Sequence, residues 1–172
     1  MKNYKKINPM EMPDNVIKLI GRDWMLIGAG DETKSNAMTA SWGALGYYSN
    51  KCMATVYVRP ERYTNDFMES ASHFTLTVLE EQKHDAHMIF GKMSGRDNDK
   101  AALAGLTPIF TEDGNPTFAE GRIVIECRKI FAQTMGEESF VDKDVYNKWY
   151  GGGHGGDHIL YMGEIVNLWI RE

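Results

Sequence analysis

The sequence predicts a mainly β fold, a closed or half-closed antiparallel barrel with short helices at its periphery. Most regular segments read as strands, and the two longest alternate, "RIVIECRKIFAQT" (Arg122 to Thr134) and "DHILYMGEIVNLWIRE" (Asp157 to Glu172). The helical patterns are short and fall between strands. No regular strand–helix–strand alternation appears, which argues against a doubly wound parallel sheet. Residues 1–172 read as one domain, with no internal repeat, low-complexity tract or linker.

"WMLIGAG", Trp24 to Gly30, is an apolar run ending in glycines and is expected as a strand. "CMATVYV", Cys52 to Val58, is β-branched and apolar, a second strand. In "RPERYTNDFMESA", Pro60 suits the first turn of a helix, and Tyr63, Phe67 and Met68 fall on one face. "HFTLTVLE", His73 to Glu80, alternates, with Phe74, Leu76 and Val78 on one side and Thr75, Thr77 and Leu79 on the other. "HDAHMIFGKM" is a short helix stopped by Gly91 or by Ser94-Gly95. "DNDKAALAG" is another, with Asp97 or Asn98 as N-cap and Gly105 as C-cap. The last strand is expected to bend at Gly163. "ESFVDKDVYNKWYGGGHGGD" reads as a loop with some helix.

A net charge of −5 argues against a nucleic-acid or anionic-membrane surface. The lysine-rich start lacks an apolar h-region, so no signal peptide is expected. No apolar run approaches the roughly 20 residues of a membrane helix. Cys52 and Cys127 lie far apart without a CxxC pattern and read as buried, reduced thiols of a cytoplasmic protein. "GAGDETKS" fits neither a Rossmann nor a P-loop pattern, and "DNDK" lacks the later ligands of a calcium loop. His84 and His87 are three apart and His154 and His158 four apart. An exposed helix face explains the first pair, glycines spoil the alignment of the second, and no metal is expected.

Two helix starts carry cations. Arg59, Arg62 and Thr64 cluster where a strand hands over to a helix, a place that favours an anion. A solvated helix start is the alternative. Ser94, Gly95 and Arg96 precede another start, with Lys100 one turn in. Upstream, "NAMTASWGALGYYSNK", Asn36 to Lys51, combines small residues, hydroxyls and aromatics with one charge. Ala40, Ser41 and Gly43 allow close backbone approach, Thr39 and Ser41 offer hydroxyls, and Trp42, Tyr47 and Tyr48 could wall a flat ring. A ring site and a phosphate site within some thirty residues describe a mononucleotide such as FMN. A barrel strand packed by its own aromatics is the plain alternative.

The pieces "NAMTASWGALGYYSNKCMATVYVRPERYT", "SGRDNDKAALAGLTP" and "HILYMGEIV" together resemble the flavin reductase-like proteins of the flavoredoxin group, over roughly Trp24 to Val166. The resemblance implies an FMN-binding split β-barrel, antiparallel and Greek-key-like, that forms a homodimer with FMN near the subunit interface. It implies flavin-dependent electron transfer fed by NADH or NADPH toward a small-molecule or protein acceptor. By matching position, Thr39, Ala40, Ser41 and Trp42 would line the ring edge, Arg59, Arg62, Tyr63 and Thr64 would hold the ribityl and phosphate end, and Asn36, Met38 and Tyr57 would also contact the cofactor. Ser94, Arg96 and Lys100 would support that end. His158 would lie near flavin and nicotinamide, orienting the latter or supplying a proton. The extra glycines of "NKWYGGGHGGD" depart from the family pattern. A carrier reduced by a protein partner, and a non-catalytic haem- or ligand-binding barrel, are the competing readings.

Overall fold

The computed structural model describes residues 1–153 and 155–172. In chain order the main elements are β1 (Tyr4–Lys6), α1 (Val16–Lys18), β2 (Met25–Gly30), β3 (Ser35–Ala40), β4 (Gly43–Tyr48) and β5 (Lys51–Val58). They continue with α2 (Tyr63–Ser70), β6 (His73–Leu79), α3 (Ala86–Lys92), α4 (Lys100–Ala104), β7 (Pro108–Phe110) and β8 (Pro116–Phe118). The chain closes with β9 (Gly121–Thr134), α5 (Lys143–Trp149) and β10 (Ile159–Arg171).

One antiparallel sheet runs β3-β2-β6-β9-β10-β5-β4, with β1 added to the far half of β10, and β7 and β8 form a separate hairpin. β3 and β4 are therefore the two edges of the sheet, yet only Ser41 and Trp42 separate them in the chain. Two linking residues span at most about 11 Å from Ala40 to Gly43. The sheet must curl until its edges approach at that end, which makes a barrel with an unpaired seam.

Alternation places the side chains. Phe74, Leu76 and Val78 join Ile27, Met38, Ala40, Val56, Ile125 and Tyr161 in the barrel core. Leu26, Ala37 and Leu79, on the other face, form a second cluster with Ala86, Phe90, Leu106 and Phe118, so α3 and α4 cover the outside of the β2–β3 wall. α2 packs Phe67 and Met68 into the barrel core. Its Asn65 accepts a hydrogen bond from Tyr161 Oη at 2.9 Å.

β2, β5, β6, β9 and β10 fall where the sequence places them, and the register of β10 on β9 shifts at Met162/Gly163, as expected of the glycine. A Cβ at Gly163 would lie 2.7 Å from the Phe74 ring and 2.8 Å from Cys127 Cβ, so only glycine fits that crossing. Other details differ. Pro60 sits in a turn, closed by Arg62 N–H to Arg59 O at 3.0 Å, and α2 begins only at Tyr63. α3 runs through Gly91 and ends at Lys92. The N-cap of α4 is Asp99, which accepts from Ala102 N–H at 3.0 Å, while Gly105 caps its end with φ 60° as expected. Cys127 is buried, and burial beside Glu126 pushes its thiol pKa up; Cys52 is only partly buried. No helix of the described residues is long and apolar enough to cross a membrane.

Candidate functional site

The run Asn36 to Lys51 is a strand, a two-residue crossing and a second strand, turned back at Ser49 and Asn50 with φ of 55° and 60°. Positive φ at both central residues is what a two-residue hairpin loop requires. β3 pairs on one side only, with β2. Asp31 N–H to Lys34 O (3.0 Å) closes the β2–β3 hairpin, and the ladder then alternates from that bonded pair. Asn36, Met38 and Ala40 turn their backbone groups to β2. Ala37 and Thr39 turn theirs to the open edge, and Lys100 Nζ does reach Ala37 O there, at 2.5 Å.

At the Asn36 end of this edge lies a cavity of about 170 Å³. β3 supplies Asn36, the start of α2 supplies Arg62, Tyr63 and Thr64, and the α3–α4 connection supplies Lys92, Ser94 and Gly95, with Lys100 from α4. Three cations thus meet one carboxylate, Glu61. Glu61 is held below the usual carboxylate range by the Gly156 N–H it accepts. Asn36 Nδ2 donates to Thr64 Oγ1 at 2.8 Å, which leaves the threonine hydroxyl proton free for another acceptor. Gly95 permits the closure, because a Cβ there would fall 2.1 Å from Asn36 Oδ1.

The cations are positioned by carbonyls. Arg62 donates to Gly91 O (2.5 Å) and Phe90 O (2.7 Å), clamping the last turn of α3. That uses two of the five guanidinium N–H groups. Lys100 is 5% exposed, and burial together with the neighbouring Arg62 charge pushes its pKa down to about 8. Its ammonium spends one proton on Ala37 O and keeps two.

At the other end of β3, Ser41, Trp42 and Tyr57 line a second, largely apolar cavity of about 380 Å³ with Ile17 and Ile20. About 16 Å of strand separates Asn36 from Ser41. Trp42 meets Trp149 edge-on at 5.0 Å and His158 at 5.4 Å, and Tyr57 lies 6.5 Å from the same imidazole. His158 Nδ1 is 2.9 Å from Tyr150 Oη. Burial and the nearby Arg59 guanidinium push the His158 pKa down to about 4. The ring is therefore neutral at pH 7 and shares a hydrogen bond with Tyr150, whose pKa burial raises.

The structure brings Asn36, Arg62, Tyr63, Thr64, Ser94 and Lys100 together at one end of β3, and Ser41, Trp42, Tyr57 and His158 together at the other. It places five others differently. Met38 and Ala40 point their side chains into the barrel core and turn their peptide groups to β2, so neither offers a group to the open edge. Thr39 turns its hydroxyl to α3, donating to His87 O at 2.7 Å, rather than toward a ring. Arg59 lies outside the cationic cavity and ties down the glycine-rich loop through Gly156 O (2.7 Å) and Trp149 O (3.0 Å). Arg96 is an outer brace, paired with Asp66 at 2.9 Å and stacked on Tyr63 at 4.5 Å. Lys92 and Tyr150 were not anticipated; the adjoining Ser94-Gly95-Arg96 stretch was the available signal for Lys92. His87 is buried rather than on an exposed helix face. His154 lies outside the described residues, and among those described no group of His, Cys, Asp and Glu is placed to hold a metal.

Residues 18–172 match the family model described as the flavin reductase like domain. The chain belongs to that family. Its fold is similar to solved split-barrel structures. An FMN-binding domain of a flavin reductase-like enzyme from Shewanella baltica superposes with a TM-score of 0.69 at 16% identity, covering 98% of this chain and 78% of that one. Flavoredoxin of Desulfovibrio vulgaris gives 0.66 at 23% identity, over 87% and 69%. The NADH:FAD oxidoreductase SgcE6 of Streptomyces globisporus gives 0.62 at 17%, over 87% and 75%. No curated protein matches the chain.

The clamp on α3 predicts that Arg62→Ala weakens the fold itself. Leaving two helix-end carbonyls without a partner should cost about 2 kcal/mol. Urea unfolding should show the loss, with partial recovery in Arg62→Lys; an unchanged midpoint would remove the clamp.

Proposed function

We propose that this family member is an FMN-dependent oxidoreductase fed by NADH or NADPH. The observation that carries the reading is the cationic cavity at one end of an unpaired strand edge whose other end opens into an aromatic and apolar cavity. FMN has a dianionic end and a flat end in the same arrangement. Arg62, Lys92 and Lys100, with the Thr64 and Ser94 hydroxyls, would hold the phosphate. These groups fit it, because among the described residues buried Lys100 and half-buried Arg62 keep donors that no protein group takes up. The outward peptide groups of β3 and the Ser41-Trp42 crossing would take the ring.

Bound flavin would supply the redox chemistry, accepting a hydride at N5 and passing electrons to an acceptor. The protein positions and shields. Thr39 N–H, aimed at the open edge, favours negative charge along the ring edge. Trp42 and Tyr57 exclude water from the side on which His158 stands. His158, neutral near pH 7, orients a hydrogen-bonding group of the incoming reductant; it is not a proton source there, contrary to what its ordinary pKa suggests. Trp42 and Trp149, 39% and 43% exposed, favour a second reading in which a protein partner delivers the electrons. Exposed Tyr47 and Tyr48 on edge strand β4 suit a homodimer, and the two free thiols suit a cytoplasmic setting. We read residues 1–172 as one domain.

Two outcomes test this. Lys100 carries its proton below about pH 8 in the free protein and loses it above. A phosphate favours the charged form, so FMN affinity should fall as pH rises through 8, by about tenfold or more, and the fall should vanish in Lys100→Met. Flavin fluorescence quenching against pH measures both. His158→Ala should slow flavin reduction at saturating NADH while leaving FMN affinity within twofold; a stopped-flow rate equal to wild type would take His158 out of the reaction.

A further inference from the structure

α5 buries none of its side chains, so packing of the helix does not fix the segment between β9 and β10 to the barrel. The attachments lie after it, on both sides of Tyr150. Arg59, just past β5, donates to Trp149 O (3.0 Å) and to Gly156 O (2.7 Å). Glu61, on the other side of Pro60, accepts from Gly156 N–H. Gly156 has to be a glycine, because a Cβ there would lie 2.7 Å from Pro60 Cγ. The glycine-rich loop thus sits flush on the Pro60 turn.

The Tyr150 ring is held as closely as its backbone. The Arg59 guanidinium lies over it at 5.3 Å. Tyr146, one turn earlier on α5, stacks on it at 5.3 Å with the planes 18° apart, and Phe140 stands 5.5 Å away. Tyr146 is tied in turn by its hydroxyl to Asp157 Oδ1 at 3.1 Å. Among the described residues the Tyr150 hydroxyl has a single hydrogen-bond partner, His158 Nδ1 at 2.9 Å, with the two rings perpendicular.

His158 needs such a partner. The last torsion of a histidine is broad and roughly two-fold, so the ring can exchange its nitrogen edge for its carbon edge by turning over. Trp42 and Tyr57 confine the imidazole by their faces and edges, which do not tell nitrogen from carbon. The Tyr150 hydroxyl does. It selects the ring position with Nδ1 toward the loop and leaves Nε2 as the nitrogen without a protein partner among the described residues.

We propose that Tyr150 is the positioning residue of His158, and that Arg59 serves the site by holding Tyr150 and not by holding phosphate. The proposal rests on the oxidoreductase reading and assigns to the glycine-rich loop a part in it: the loop carries the hydroxyl that aims the imidazole at the reductant.

Tyr150→Phe keeps the ring, its stack on Tyr146 and its contact with Arg59, and removes only the hydroxyl. Flavin reduction at saturating NADH should slow by about tenfold, with FMN affinity within about twofold of wild type. In a His158→Ala chain the same substitution should change the rate by less than about twofold, since a residue that acts through the imidazole then has nothing to position. An undiminished rate in Tyr150→Phe, or the same loss repeated in the His158→Ala chain, would overturn the proposal. Nitrogen–proton NMR of the flavin-free chain at pH 7 separates this from the reaction itself. Tyr150→Phe should move the His158 Nδ1 resonance, and an unmoved resonance would overturn the positioning role. A moved resonance in a chain whose wild type does not oxidise NADH would uphold the positioning and overturn only the oxidoreductase reading.

Discussion

The open edge of β3 is the constraint on which the site depends. A barrel that closed its hydrogen bonds would bury the peptide groups of Ala37 and Thr39 against β4. Here β3 and β4 are consecutive in the chain but remain unpaired, joined only by Ser41 and Trp42. The crossing is too short to let the edges part at that end. The core clusters hold the wall in place from both faces, through Met38 and Ala40 inside and Ala37 outside. An edge strand with free donors is ordinarily a hazard for aggregation. In this fold α2, α3 and α4 gather around it, and what stays open has the dimensions of a ligand rather than of another strand.

The same helices supply the charge. Arg62 and Lys100 are cationic side chains drawn into partial or full burial, a costly placement unless they are hydrogen-bonded. Backbone carbonyls at the end of α3 and on β3 meet that need, so the positive cavity and the docking of α3 and α4 on the wall are one structure. This is why an arginine that reads as a ligand-binding residue also clamps a helix. Glu61 would weaken the field, but Gly156 N–H engages it and links it to the glycine-rich loop. Arg59 holds the same loop by two carbonyls.

Much of this was legible in the sequence. Strong alternation in His73 to Leu79 and Arg122 to Thr134 reports a two-faced wall directly. The run after Ser35 stands out because small residues beside aromatics make a poor core strand and a poor loop. What was not legible depends on direction. Spacing does not say whether the Thr39 hydroxyl turns to a ligand or to His87, since both lie on the outer face. Nor does it separate Arg59 from Arg62, three residues apart; the turn at Pro60 sends one to the glycine-rich loop and the other into the cavity. β1, β7 and β8 are three residues each, too short for a periodicity to register. The depressed pKa of His158 comes from burial and from Arg59, a residue far away in the chain, and no local motif reports it.

The central claim is that the cavity between α2, β3 and α4 grips a phosphate group while the strand edge takes a ring. Comparing the affinity of the protein for FMN with its affinity for riboflavin, which has the same ring and no phosphate, isolates that grip. Two charge-assisted contacts of about 1.5 kcal/mol or more each predict that FMN binds at least about a hundredfold more tightly at pH 7. Equal affinities, or binding of neither, would contradict it.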